Sequence, residues 1–392
     1  MEEMSQDNAY KIIQDPINGP VKVPASVLEI IDSPEFQRLR NIRQLGMCHY
    51  VFPGANHTRF EHSLGTFYLS LQFSDTLHIE EQELLSLSAL LHDIGHPPVS
   101  HGIEGFFEKL TGLDHVEAGK HIITGTGNFS GSTIPAKLEG MGIDPERVCS
   151  IIDGTSTTDR LLSRIISGPM DVDEMDYLRR DSVYCGVNVG NIDYRRIMNV
   201  ALRDEYDLYI GRKGITAVEG LLISRILMYS SVYFHKTSRI AQGMLEIALS
   251  SLKTDIDPFR MDDGDLMNIL KVNLDRRICR QLVQRELFKP ILRMDYSADK
   301  FQFLREKLLS MDDAIEGKYI LDVIPPITFK GPGRVKSDLK VRDAAETHDL
   351  TEVSPLVRTL EETMGNKEII LSVDSKIAPD LGSGIREALK GF

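Results

Sequence analysis

Two short apolar runs on either side of a turn open the chain. In YKIIQDPINGPVKVP the break at Ile17-Asn18-Gly19-Pro20 predicts a β-hairpin. The spacing then becomes helical. Val27, Ile30 and Ile31 precede a Ser33-Pro34 start, and Phe36, Leu39, Ile42 and Leu45 follow at helical steps, predicting a helix that ends at Gly46. HTRFEHSLGTFYLSLQFSDTL and EEQELLSLSALLHD predict two more helices, and the text stays mostly helical to about Asp257. Helices resume through DRRICRQLVQRELFKPIL. After Lys318 the pattern changes: YILDVIPPITF and EIILSVDS predict strands, with SPLVRTLEETMG a helix between them and GSGIREALKGF a last short helix. FKGPGRVKSDLKVRDAAETHDL, rich in charge and glycine, predicts an exposed loop. The expected fold is mainly α: a helical core with an N-terminal hairpin over residues 1–257, a helical extension over 258–316 and a small α/β domain over 317–392.

With 392 residues, 42% of them apolar, the chain is too long for one small core. Its net charge of −13 argues against a surface that coats nucleic acid, so nucleic acid is not an expected partner. Lys330, Arg334, Lys336, Lys340 and Arg342 are expected to be solvated loop charge. The four cysteines (Cys48, Cys149, Cys185, Cys279) form no C-x-x-C pair, which speaks for a reducing compartment. MEEMSQDNAY is acidic and polar, unlike a secretory signal, and LLISRILMYSSVYF is interrupted by Arg225 and too short to span a bilayer. The expectation is a cytoplasmic protein with no membrane partner.

Nine of the eleven histidines fall between His49 and His121. A single histidine is most often a surface or capped residue; the cluster is the signal, because imidazole is the commonest metal ligand and proton shuttle. LLHDIGHPPVSH spaces His92 and His96 as a zinc-protease helix does, but Gly95, Pro97 and Pro98 end the helix near His92-Asp93 and put His96 on the loop beyond. An adjacent His-Asp pair cannot fill a coordination sphere alone. TRFEHSLG offers His62, one turn from Arg59. MDVDEMDYLRRD offers Asp171, Asp173, Asp176 and Asp181, with Asp173, Asp176 or Tyr177, Arg180 and Asp181 on one helix face.

TRFEHSLG, LLHDIGHPPVSH and MDVDEMDYLRRD, in this order, resemble the HD-domain phosphohydrolases, most closely the deoxynucleoside triphosphate triphosphohydrolase branch. The likeness runs from KIIQDPINGPVKVP through YVFPGANHTRFEHSLG to YFHKTSR, and more loosely to Leu287. It implies a divalent metal ion (Mn, Fe, Zn, Ni or Mg) on His62, His92, Asp93 and Asp173. It implies that water attacks the α-phosphorus of a dNTP, giving deoxynucleoside and inorganic triphosphate. His96 and His115 would lie beside phosphate, His101 near the leaving oxygen as general acid, and Glu104 would hold a histidine's proton. Arg59 would grip phosphate and Arg225 reach the terminal one. Gln44 and Asp181 would meet the 3′-hydroxyl, Tyr177 and Tyr233 crowd a 2′-hydroxyl, and Leu45 pack on the base. Lys11, Asp32, Gln37 and Arg40 match an activator site between subunits for GTP or dGTP, implying a homo-oligomer such as a dimer or tetramer.

The chain departs from that pattern at three positions. Glu174 stands where a phosphate-binding lysine is expected, Phe234 where a base-contacting glutamine is, and Gln14 where the activator site has asparagine. The alternatives are therefore an HD phosphohydrolase of another nucleotide or phosphate ester, and a nucleotide-binding regulator without turnover.

Overall fold

A computed structural model describes residues 10–252, 256–311, 315, 317–326, 339–344, 346–363 and 367–388. Strands β1 (Tyr10–Asp15) and β2 (Gly19–Pro24) pair antiparallel, with Ile13 opposite Val21 and Asp15 opposite Gly19, as the turn residues predict. The hairpin leads into a short helix, Ala25–Ile31. The predicted helix through Leu45 is not continuous. Pro34–Gln37 is helical and Arg38–Asn41 is a 3-10 turn, after which Ile42 is extended. Hydrogen bonds from Gln44 N–H to His57 O (3.0 Å) and from Arg59 N–H to Ile42 O (2.8 Å) tie this segment to the start of the next helix. Long-range pairing outcompetes the local helical period here.

Helix Arg59–Leu77 begins at a capping box in which Thr58 and Glu61 satisfy each other's ends. It packs against Gln82–Leu91, whose cap residue is His92, so the helix ends where Gly95 and the prolines require. Helix Val172–Cys185 lies across Arg59–Leu77. The approach is close enough that a Cβ on Gly65 would stand 1.9 Å from Asp176 Oδ1, so only glycine fits that position. Phe60, Leu64, Phe67, Leu85, Leu90, Met175 and Leu178 belong to the main core between these helices.

Five strands differ from expectation. β3 (Ala201–Arg203) and β4 (Leu208–Gly211) interrupt the helical body. β5 (Lys289–Asp295) lies in the segment expected to be helical extension, and β7 (Lys340–Asp343) with β8 (Glu346–Asp349) lie in the predicted loop. β4, β5 and β7 have partners remote in sequence, while β3 and β8 pair with their hairpin neighbours. β7 runs parallel to β4 in the sheet β3-β4-β7-β8, and β5 flanks β9 (Glu368–Val373) opposite β6 (Tyr319–Ile324) in the sheet β5-β9-β6. The strands β6 and β9 and the helices Pro355–Thr363 and Ala378–Ala388 fall where predicted. Lys330, Arg334 and Lys336 lie outside the described residues. Arg212–Tyr233 is long and apolar enough to cross a membrane, but Val218, Leu221, Leu222, Met228 and Val232 within it belong to the main core.

The hairpin and the central helices meet over a buried charge. Arg180 has no solvent exposure and donates to both oxygens of Asp15 (2.9 Å each) and to Asp176 Oδ2 (2.8 Å). Removing one member of such a cluster leaves the others buried and unpaired. Arg180→Met is therefore expected to lower unfolding stability by about 3–5 kcal/mol, read as a fall in the denaturant midpoint. An unchanged midpoint would show that water reaches Asp15 and Asp176.

Candidate metal centre and cavity

The ends of three helical elements bring the histidines and carboxylates together. His62, fully buried, points its Nε2 to within 3.0 Å of Asp173 Oδ1 and 3.5 Å of Asp93 Oδ2. His92 Nε2 stands 3.4 Å from Asp93 Oδ1 and 3.7 Å from Asp173 Oδ1. Neither Nε2 has a hydrogen-bond partner. Both Nδ1 atoms are engaged: His62 with Asp176 Oδ2 (2.9 Å) and His92 with Ala89 O (2.8 Å). Ligands about 2.1 Å from one ion stand about 3.0–3.5 Å apart, and metal-binding histidines pass their second nitrogen to a carboxylate or carbonyl. His62, His92 and Asp93 form a group that could hold a divalent ion, and Asp173 Oδ1 stands beside both imidazoles, where it would complete the set.

The electrostatics follow from this crowding. Burial alone would lower the His62 pKa, but the carboxylates of Asp173, Asp176 and Asp93 around the ring outweigh that and raise it to about 10. Burial opposes ionisation of Asp93, yet Arg59 and the neighbouring histidines hold its carboxyl well below the usual range. His96, buried beside Arg59 and His115, is pushed well below 6.5, so its ring is neutral at pH 7.

A cavity of about 1400 Å³ opens from this cluster. Of the predicted substrate residues, Gln44, Leu45, Arg59, Tyr177, Asp181, Arg225 and Tyr233 all line it, as do Glu104 and His115. Tyr233 donates to Asp181 Oδ2 (2.7 Å) and its ring meets Tyr177 edge-on at 6.2 Å. Arg59 ion-pairs with Asp93 and donates through Nε to Ser100 Oγ (3.0 Å), while its Nη2 has no hydrogen-bond partner. Arg225 pairs with Glu174 at 3.1 Å. Among the described residues, nine carboxylate residues and four arginines line the cavity. Each arginine is ion-paired, Arg164 with Asp207 (3.1 Å) and Arg239 with Asp322 (2.6 Å) completing the set. An anion entering this acidic space needs cations to accompany it.

His96 stacks on His115 with ring centroids 4.1 Å apart and planes 14° apart, and His115 Nδ1 meets Glu104. An ion lies near the plane of each imidazole that ligates it, and stacked rings do not share a plane. His96, Glu104 and His115 stand close enough together for a second ion, but the stacking of the two rings opposes one. The backbone of His101 lies in the 3-10 turn Ser100–Gly102; its side chain is outside the described residues. Lys11, Asp32, Gln37 and Arg40 do not line the cavity. Lys11, Asp32 and Arg40 are exposed; Gln37 is half-buried, donating to Ile31 O (2.7 Å) and accepting from Arg40 Nε (2.8 Å).

Sequence reasoning missed His57. It is buried, its Nε2 meets Asp181 Oδ1 at 2.7 Å, and its ring packs on Tyr184 at 4.5 Å. It therefore holds the carboxylate that faces the cavity between itself and Tyr233. The available signal was its place two residues before Arg59 in ANHTRFEH. Asp176 was an alternative on its helix face; the structure places it behind His62 instead of beside the cavity.

Two outcomes are expected. A metal at His62 displaces a proton from a ring whose pKa is about 10, so metal affinity rises with pH through neutrality and binding releases acid. Calorimetric titration with Mn in buffers of different ionisation enthalpy reads this directly; uptake that is indifferent to pH would remove His62 from the ligand set. Asp176→Asn, which weakens the grip on His62 Nδ1, is expected to cut metal affinity about 10- to 100-fold while leaving the quartet itself intact.

Comparison with known proteins gives this site a family. Residues 59–181 match the HD domain and residues 192–373 the HD associated region. The chain is 35% identical over 367 residues to a protein of Methanocaldococcus jannaschii, covering 90% of this chain and 76% of that one. It is 26% identical over 386 residues to the deoxynucleoside triphosphate triphosphohydrolase SAMHD1 homolog of Dictyostelium discoideum, covering 91% of this chain and 72% of that protein. The crystal structure of a phosphohydrolase from Bacteroides thetaiotaomicron matches with a TM-score of 0.74 at 26% identity, over 93% of this chain and 99% of that one. With its histidine–aspartate cluster at the join of these helices, the chain belongs to the HD-domain phosphohydrolases that carry the HD associated region.

Proposed function

We propose that this phosphohydrolase cleaves deoxynucleoside triphosphates to deoxynucleoside and inorganic triphosphate. The supporting observation is one cavity with His92, Asp93 and Asp173 of the metal quartet at one wall, His62 buried behind them, and the Tyr177–Tyr233–Asp181 group at another. A divalent ion held by the quartet supplies Lewis-acid charge and an acidified water. The chain's own residues do the rest. Arg59 would offer its unpartnered, buried Nη2 to a phosphate oxygen, with neutral His96 buried close by and stacked on His115. Glu104 fixes the proton on His115 Nδ1, so that ring turns its other nitrogen to the substrate side. Asp181, held by His57 and Tyr233, offers its remaining lone pairs to a sugar hydroxyl, with Gln44 beside it. Tyr177 and Tyr233 leave little room beside the 2′ carbon, which favours deoxyribose. Lys11, Asp32, Gln37 and Arg40, away from the cavity, are the proposed seat of an activating nucleotide (GTP or dGTP) that couples activity to homo-oligomer formation.

One observation favours a second reading. Glu174 is buried, burial pushes its carboxyl up to about 7 against the pull of Arg225, and the Arg225 guanidinium is spent on it. A substrate with fewer phosphates than a dNTP would not need that arginine.

The test is product analysis. The Mn-loaded protein is incubated with each dNTP, alone and with GTP or dGTP, and products are resolved by anion-exchange chromatography. Inorganic triphosphate is expected, and Glu174→Lys is expected to lower the KM for the dNTP. Release of orthophosphate from mono- or diphosphates, with no triphosphate from any dNTP, would install the second reading. Nucleotide binding without any turnover would leave a regulator.

A further inference from the structure

The turn that follows the histidine–aspartate pair is held in a backbone conformation that its residues resist. Val99 has φ +64° and Ser100 φ +51°, two consecutive non-glycine residues in the left-handed region, one of them β-branched. Such residues persist only where their surroundings over-determine them. Here the surroundings converge on one side chain. Asp263, 6% exposed, is the first residue of helix Asp263–Val272, beyond the matched HD domain. Its Oδ1 accepts the Val99 N–H (2.8 Å); its Oδ2 accepts the Arg43 N–H (3.1 Å) and Arg43 Nη1 (3.3 Å). Ser100 Oγ donates to Arg43 O (2.9 Å) and accepts from Arg59 Nε (3.0 Å), and Arg59 passes on to Asp93. A second strap runs alongside, Arg38 donating to Met261 O (3.0 Å) and Ile94 O (2.9 Å). The carboxylate itself is set by the helix cap, since Asp262 and Asp265 satisfy each other's backbone N–H at 3.0 and 3.1 Å.

We propose that Asp263 is a positioning residue that clamps the strained turn Val99-Ser100 and thereby aims Arg59 at the substrate phosphate. The inference rests on the reading of this cavity as the hydrolytic site. His62 and His92 are held by other contacts, Asp176 and the Ala89 carbonyl, and only Asp93 meets the clamp, through Arg59, so the clamp acts on rate more than on metal retention. A glycine in place of Val99 adopts a positive φ without steric penalty and should need the clamp less.

The test uses Asp263→Ala, Asp263→Asn and Val99→Gly, and the double variant Asp263→Ala/Val99→Gly, all in the full chain loaded with Mn. Asp263→Ala is expected to keep full metal content and a KM near that of the wild type, to lose kcat by about a hundredfold, and to show faster amide hydrogen exchange at Val99 and Ser100. The double variant is expected to recover at least part of that kcat. Unchanged kcat and exchange in Asp263→Ala would overturn the proposal. So would loss of metal in step with rate, or a rate loss that Val99→Gly leaves unrelieved, since either marks a general structural role. If Asp263→Ala does not fold, Asp263→Asn, which keeps the volume and replaces one acceptor by a donor, is judged by the same readouts. Failure of the dNTPase reading looks different: the wild type would release no triphosphate, while kcat on whichever ester it cleaves and exchange at Val99 still decide the role of Asp263.

Discussion

The structure depends on a buried cation that touches no substrate. Arg180 sits between Asp15 at the end of the N-terminal hairpin and Asp176 on its own helix, and Asp176 in turn holds His62. Burying a guanidinium is costly unless its donors are used, and here they meet carboxylates on both sides. The pairing forces three things together: the hairpin must close over the helices, Val172–Cys185 must lie against Arg59–Leu77, and the imidazole of His62 must present Nε2 rather than Nδ1 to the cavity. The missing side chain at Gly65 is what lets that approach happen. Metal chemistry is thus oriented from behind, by charges that never reach the cavity.

The front of the site answers a different constraint. Among the described residues, carboxylates outnumber arginines along the cavity wall, and each of those arginines already has an acidic partner. Such a surface repels a free polyphosphate and accepts one only with cations present. The His62–His92–Asp93–Asp173 cluster concentrates negative charge where a divalent ion restores the balance, so the same acidity that resists bare nucleotide favours metal. Arg59 and Arg225 each keep one buried nitrogen, Nη2 and Nε, without a hydrogen-bond partner.

What could be read from the sequence divides along the same line. Features set by local chemistry were legible. The hairpin followed from its turn residues, the end of the Gln82–Leu91 helix from Gly95 and the prolines, and the placing of His92-Asp93 at that end from the same residues. His62 and Asp173 came into view as candidates on helices, and the family resemblance joined them. Features set by partners far away were not legible. Residues 34–45 carry a helical period but give it up for bonds to 57–59. β5 and the β7–β8 hairpin exist because β9 and β4 supply their hydrogen bonds, which no window of local sequence contains. His57 was passed over for the same reason: its partner Asp181 lies 124 residues away.

The strained turn shows why a helical extension belongs to the catalytic unit at all. A left-handed valine is unstable in an isolated segment, because the unfolded chain has many cheaper conformations. Its strain must be offset by contacts that the segment cannot make with itself. Asp263 and the carbonyl of Met261 make them from outside the HD domain, reaching Val99 directly and Ile94 through Arg38. The matched HD domain supplies the ligands, and the residues after it hold the loop that faces them. An HD domain cut away before residue 263 would retain His62, His92, Asp93 and Asp173 but lose the contacts that keep Ser100 on Arg59. Metal binding and the proposed phosphate contact of Arg59 would therefore be separable in this architecture: the first rests on the buried arginine cluster, the second on the proposed clamp from the following region.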